Sequence, residues 1–274
     1  MLRMLQAGGN SEEEAQPMYV NYPCGLALAH NGNLTNTKQL QAMLQRQERH
    51  LDSRSDSEVL LNLFAEGLRM ELAAADLGDC TSNHSIDEMA PIIYEAVRRT
   101  MQACKGAYSV LLLIRNVGVV AFRDPWGIRP LVLGKRASRT VLGGVDYMMA
   151  SESSVLDTLG FELLRDVRAG ECVLCVPLNP SWPRADQGLL SQQLITISSG
   201  CVAPLPCLFE YIYFARGDSV MNGIVVEQAR RSMGEKLARK IMRDPRAPTF
   251  DVVVGVPETA CGAAMHCARS LNLP

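Results

Sequence analysis

The sequence predicts an α+β domain followed by the first step of an α/β domain, and three observations carry that expectation. Short strand-like runs follow one another at hairpin spacing from Tyr108 to Val176, with two long helical stretches entering as a block ahead of them. That order suits antiparallel sheets covered by helices better than a parallel doubly wound sheet. Between about Asn179 and Pro206 the composition shifts to Pro, Ser and Gln, the grammar of a linker, which divides the chain into domains 1–203 and 204–274. Beyond it, a long helical stretch from Val225 to Met242 precedes Asp251-Val252-Val253-Val254-Gly255-Val256, apolar on both faces as a buried parallel strand requires. Pro257-Glu258 then leads into another helix through Leu271, completing a βα step.

The elements of the first domain follow from local chemistry. Cys24 to His30 reads as a small apolar strand that breaks at Asn31-Gly32-Asn33, with a helix starting near Asn36, a good N-cap type. Ser55 and Glu58 have capping-box spacing just ahead of the apolar stripe Val59 to Phe64. Asp79 to His84 reads as a loop insertion before a second amphipathic helix, Ile86 to Cys104. Tyr108 to Ile114 and Gly118 to Phe122 form a predicted hairpin across Arg115-Asn116-Val117. A turn at Asp124-Pro125-Trp126-Gly127 leads to further strands at Leu131 to Leu133, Tyr147 to Ala150 and Glu171 to Val176.

Composition narrows the function classes. The chain has 274 residues, 47% apolar and 20% charged, which is ample for a buried core. A formal net charge of -2 offers no bulk attraction for nucleic acid or a membrane surface. No apolar run reaches the roughly 20 residues of a membrane helix. The first residues lack the apolar core of a signal peptide, so the cytosol is the expected address. The nine cysteines show no framework spacing and read as reduced thiols. Cys172 and Cys175 have C-x-x-C spacing, but on a strand residues three apart face opposite ways, which favours core cysteines over a ligand pair.

Three segments could carry chemistry. Asn31-Gly32 at a strand end offers a side-chain amide and a neighbouring backbone N–H, a pair that could stabilise an oxyanion; taken alone, an ordinary Asn-Gly turn is the favoured reading. Asp56, in the first turn of a helix, could bind an ammonium group, or the segment could simply cap the helix. The third is FRDPWGIRPL from Phe122 to Leu131, followed by ASES from Ala150 to Ser153.

HNGNL, SDSE, FRDPWGIRPL and ASES, in that order, resemble the class II glutamine amidotransferases. FEYIYFAR from Phe209 to Arg216, with MGEKL from Met233 and VPET from Val256, looks specifically like the glutamine phosphoribosylpyrophosphate amidotransferases. Gly217 departs from the pattern, where the family usually has proline. The resemblance implies an αββα four-layer N-terminal-nucleophile hydrolase sandwich, followed by the start of a type I phosphoribosyltransferase domain. It implies Asn31 (side chain) and Gly32 (N–H) as the oxyanion hole, Asp56 on the glutamine α-amino group, and Phe209 and Tyr213 lining an ammonia channel. Glutamine and phosphoribosylpyrophosphate are the implied substrates, and the full-length protein is expected to be a homo-oligomer.

Some family features have no match in the sequence. The family's nucleophile is a cysteine whose free α-amine acts as base, whereas this chain opens Met1-Leu2 and its first cysteine is Cys24. The expectation is therefore a fragment that lacks roughly the first seventy to ninety residues, judged from domain size. It is also expected to lack the phosphoribosylpyrophosphate loop with its Mg²⁺ site, beyond Pro274, and to be inactive as it stands. Cys207 matches one ligand of a structural [4Fe–4S] cluster that some members hold and others lack. The alternatives are another class II amidotransferase and a non-catalytic shortened paralogue.

Overall fold

The computed structural model describes residues 14–78, 80, 84–177, 188–195, 205–245 and 250–274. The expected boundary at 203/204 and most of the Asp79–His84 insertion lie outside these residues. In chain order the elements are β1 (Met18–Val20), β2 (Leu26–Leu34), α1 (Thr37–Arg46), α2 (Asp56–Ala74), α3 (Ile86–Ala103), β3 (Gly106–Ile114) and β4 (Gly118–Arg123). There follow β5 (Val132–Ala137), β6 (Val145–Ala150), α4 (Ser153–Thr158), β7 (Glu162–Asp166), β8 (Glu171–Cys175) and β9 (Leu189–Gln193). A short π-helix (Glu210–Phe214), β10 (Val220–Met221), β11 (Ile224–Val225), α5 (Val226–Ile241) and α6 (Cys261–Leu271) complete the chain. No helix among the described residues is long and apolar enough to cross a membrane.

All sheet pairing among the described residues is antiparallel. Six strands line up as β1-β2-β3-β4-β8-β9 and three as β6-β5-β7. Strand alternation gives the larger sheet two apolar faces. One packs Leu26, Leu28, Val110, Leu112, Val120 and Phe122 against Leu60, Phe64, Leu68 and Ile93 of α2 and α3. The other places Ala121 and Val173 against Leu131, Leu133 and Val167 of the smaller sheet, whose far side packs Val132 on Leu156 of α4.

Local expectations fail in instructive ways. The predicted break at Asn31-Gly32-Asn33 does not occur, because β2 continues in register with β3 through Leu34 and pairs Gly32 with Tyr108. Strand pairing outweighs the turn preference of Asn-Gly there. Cys24 lies in a bend ahead of β2 rather than inside the strand. Ser55 does cap α2, accepting from Ser57 N at 3.3 Å, but Glu58 turns away to accept from Asp52 N and Ser53 N, both at 2.7 Å. The complete capping box belongs to Ser85 and Glu88 at the start of α3. Leu189–Gln193, read as loop, is a strand because the edge of β8 is available to pair it.

Residues 251–256 form no strand, and Val254 and Val256 are 79% and 75% exposed. A parallel strand needs a neighbour for its ladder, and none lies beside this segment among the described residues. Val253 N instead donates to Pro274 O at 3.0 Å.

The turn after β4 is held from both sides by adjacent opposite charges. The fully buried Asp124 accepts from the backbone N–H groups of Trp126, Ile128 and Arg129, each at 3.0 Å, and of Tyr108 at 3.3 Å. Buried Arg123 donates to the carbonyls of Arg129 (2.6 Å), Gly127 (2.8 Å) and Val167 (2.8 Å). Gly127, at φ +64°, provides the left-handed step that the turn needs. Asp124→Ala orphans four N–H groups at about 1 kcal/mol or more each, so we expect it to lower stability by roughly 3–5 kcal/mol. Urea unfolding of the purified chain checks this, and a loss below about 1 kcal/mol would contradict the role given to the carboxylate.

Candidate active site

β2 builds the site through strand alternation. Tyr108 spends its backbone groups on the β4 side, accepting from Asp124 N at 2.8 Å and donating to the Asp124 carboxylate. Its partner Gly32 therefore belongs to a pair that exchanges no ladder bonds, and the Gly32 N–H points to the opposite edge of β2. His30 and Leu34 share that direction: His30 N donates to Gln16 Oε1 at 2.7 Å and Leu34 N to Asp56 Oδ2 at 2.9 Å. β1 covers β2 only as far as Leu28, so among the described residues the Gly32 N–H faces an edge with no further strand beside it. A Cβ at Gly32 would sit 2.1 Å from Ala107 O and 2.7 Å from Tyr108 Cα, so only glycine lets β2 and β3 approach this closely.

The Asn31 side chain is fixed by two distant segments. Its Oδ1 accepts from Arg129 Nη2 at 2.6 Å, and its Nδ2 donates to Ser151 Oγ at 3.0 Å. Arg129 comes from the turn organised by Asp124, and Ser151 from the residue after β6. Arg129 also pairs with the buried carboxylate of Glu210, the first residue of the π-helix. FRDPWGIRPL, ASES and FEYIYFAR thus meet at Asn31 and Arg129.

A buried polar cluster lies beside the open edge. His30 Nδ1 is 3.1 Å from Ser57 Oγ and 3.7 Å from Asp56 Oδ1, and Gln16 Nε2 donates to Ser57 Oγ at 2.9 Å. Burial, reinforced by the Arg129 charge, pushes the His30 pKa down to about 4, so its ring is neutral at pH 7. Burial raises Asp56 to about 6 against three backbone N–H contributions, and the Glu14 carboxylate adds to the rise. Asp56 is fully buried here. An ammonium reaching it would lower its pKa again.

Other anticipated residues are not gathered in. Phe209 and Tyr213 are 57% and 50% exposed, the first tilted and the second edge-on against Phe214, with centroids 5.8 and 5.5 Å from it. The Arg129 guanidinium, Asn31's partner, lies 6.0 Å above the Phe214 ring. No group of three or more His, Cys, Asp or Glu side chains among the described residues could hold a metal. Cys207 belongs to no such group there. Cys172 is buried with its thiol pKa pushed well up, as a core cysteine should be.

His30 and Asp56 oppose each other in their effect on acid stability. His30, lowered from 6.5 to about 4, contributes stability that is present above pH 6.5 and lost as pH falls toward 4. Asp56, raised from 3.8 to about 6, favours the folded state most below pH 3.8, a contribution lost as pH rises through 6. Asp56→Asn removes the second effect alone. Relative to the parent, this variant should lose about 2 kcal/mol of stability between pH 7 and pH 4. A difference independent of pH in paired urea titrations would show that Asp56 is not perturbed.

A family described as "Glutamine amidotransferase domain" matches residues 3–157, more than half of the chain. The amidophosphoribosyltransferases of Pasteurella multocida and Escherichia coli are each 43% identical to it over its whole length, and the match covers 49% of each relative. The solved structure of the Bacillus subtilis glutamine phosphoribosylpyrophosphate amidotransferase, complexed with ADP and GMP, superposes with a TM-score of 0.70 at 30% identity. That superposition covers 97% of this chain and 49% of the solved one. The chain thus spans about half the length of the relatives it matches, and it belongs to the glutamine amidotransferase domain family.

Proposed function

We propose that the whole protein to which this chain belongs is an amidophosphoribosyltransferase. It would hydrolyse glutamine and pass the amide nitrogen to phosphoribosylpyrophosphate, giving 5-phosphoribosylamine, glutamate and pyrophosphate, the first step of purine synthesis. This chain contributes the oxyanion hole and the amino-acid clamp of the glutamine-hydrolysing half. One observation carries the reading: at the open edge of β2, the Gly32 N–H and the Asn31 carboxamide, fixed by Arg129 and Ser151, are adjacent donors. Two donors converging on one oxygen stabilise the charge that develops when an amide carbonyl is attacked. The helix–sheet–sheet–helix layering supports an N-terminal-nucleophile hydrolase sandwich.

Attack needs a thiolate, and burial raises the thiol pKa of Cys104, Cys172 and Cys175. The Cys104 thiol, in the field of Asp56, is pushed up to about 12 by burial and stays protonated. We therefore place the nucleophile on a cysteine outside this chain, with a free α-amine as its base. The thiolate attacks the carboxamide carbon, Asn31 and Gly32 hold the oxyanion, and ammonia leaves as a thioester forms. Water then releases glutamate. Asp56 holds the substrate's ammonium, once the groups that bury it move aside. Phe209, Tyr213 and Phe214 line the route for ammonia. The phosphoribosyl site and its Mg²⁺ are assigned to residues outside this chain, as are any partners of Cys207 in an iron–sulfur cluster. The protein is placed in the cytosol, as a homo-oligomer.

Residues 1–274 alone should release no glutamate from glutamine above background in a coupled assay. In the full-length enzyme, Asn31→Ala should lower glutamine turnover by about 10²–10³-fold. Near-normal turnover by that variant would remove the oxyanion assignment.

A further inference from the structure

Asn31 serves as an oxyanion donor only if its carboxamide is turned the right way. The NH₂ end and the oxygen end have nearly the same shape, so packing alone hardly distinguishes them. Rotated by half a turn, Asn31 would present a lone pair to a developing negative charge and repel it. The orientation therefore needs a partner that accepts one end and refuses the other.

The geometry points to Arg129 as the positioning residue that orients the Asn31 carboxamide for catalysis, a role that rests on the oxyanion reading above. A guanidinium has donors and no acceptor, so the group 2.6 Å from Arg129 Nη2 must be the Asn31 oxygen. This turns Nδ2 the other way. One of its hydrogens goes to Ser151 Oγ at 3.0 Å, leaving the second for the substrate oxygen. Ser151 cannot set the orientation, because a hydroxyl donates or accepts equally well.

Arg129 is itself held by three features. Its backbone N–H is bound by Asp124, its carbonyl by Arg123, and its second Nη by the buried Glu210. Glu210 is 5% exposed and opens the aromatic π-helix, so the orienting cation is anchored to the segment that carries Phe214. The same cation lies close enough to help push the His30 pKa down, placing its field within the site.

The test combines kinetics with a direct view of the amide. In the full-length enzyme, Arg129→Met removes the donor and keeps most of the volume. It should lower kcat for glutamine hydrolysis by about 10²-fold, with KM changed by less than about threefold, because ground-state contacts to glutamine are untouched. Arg129→Lys keeps a cation and one donor, and should recover at least about tenfold of that loss. The double variant Asn31→Ala, Arg129→Met should be no worse than Asn31→Ala alone, since both changes disable the same donor. In the 274-residue chain, the nuclear Overhauser contact between the Asn31 side-chain NH₂ and the Ser151 side chain should be present, should survive Arg129→Lys and should be lost in Arg129→Met.

Unchanged kcat in Arg129→Met, or losses that multiply in the double variant, would overturn the positioning role while leaving the oxyanion reading intact. Should Arg129→Met fail to fold, the decision passes to Arg129→Lys. An intermediate kcat at constant KM supports the role, and a raised KM at constant kcat overturns it. Normal turnover in Asn31→Ala would instead sink the underlying reading.

Discussion

The site depends on one buried carboxylate. Asp124 gathers four backbone N–H groups from two places, the turn that follows β4 and Tyr108 on β3. Tyr108 is the residue opposite Gly32, and Asp124 holds both its backbone groups away from β2, the N–H on its carboxylate and the carbonyl on its own backbone N–H. That frees the Gly32 N–H to face the open edge. Through Arg129, the last residue it binds, Asp124 also determines how the neighbouring Asn31 is held. Both proposed oxyanion donors thus trace back to one residue that touches neither.

Arg123 complements this from the carbonyl side. A buried cation needs acceptors, and the turn supplies them because Asp124 has already taken its N–H groups. Each charge is satisfied by the half of the backbone that the other leaves unused. Such mutual satisfaction makes a turn rigid, and an electrostatic site needs rigidity because donors that must reorganise during reaction lose much of their effect.

The sequence disclosed the periodic elements and the individual motifs, but not how they meet. α2, α3 and the β3–β4 hairpin were readable because apolar spacing, caps and a short connection are local signals. Asn31, Gly32 and Asp56 were identifiable as candidates only through the family that the ordered motifs resemble, since an Asn-Gly turn and a first-turn Asp each have an ordinary structural use. Arg129 and Glu210 went unassigned, since their meaning lies in a contact with residues about a hundred positions away in one case and eighty in the other. His30 was hidden for a different reason: only burial reveals that its ring is neutral. Continuation of β2 through Asn-Gly was also invisible, because pairing with β3 overrides local turn preference. The Val252–Val256 run carried a strand-like pattern, but a pattern supplies no ladder partner, and the described residues contain none.

The central claim concerns where two N–H groups point, and a crystal structure with glutamate bound tests it most directly. The account predicts one ligand carboxylate oxygen within about 3 Å of both Asn31 Nδ2 and Gly32 N, with Asn31 Oδ1 still on Arg129. A ligand oxygen facing Asn31 Oδ1, or a Gly32 N–H bonded within the sheet, would contradict it.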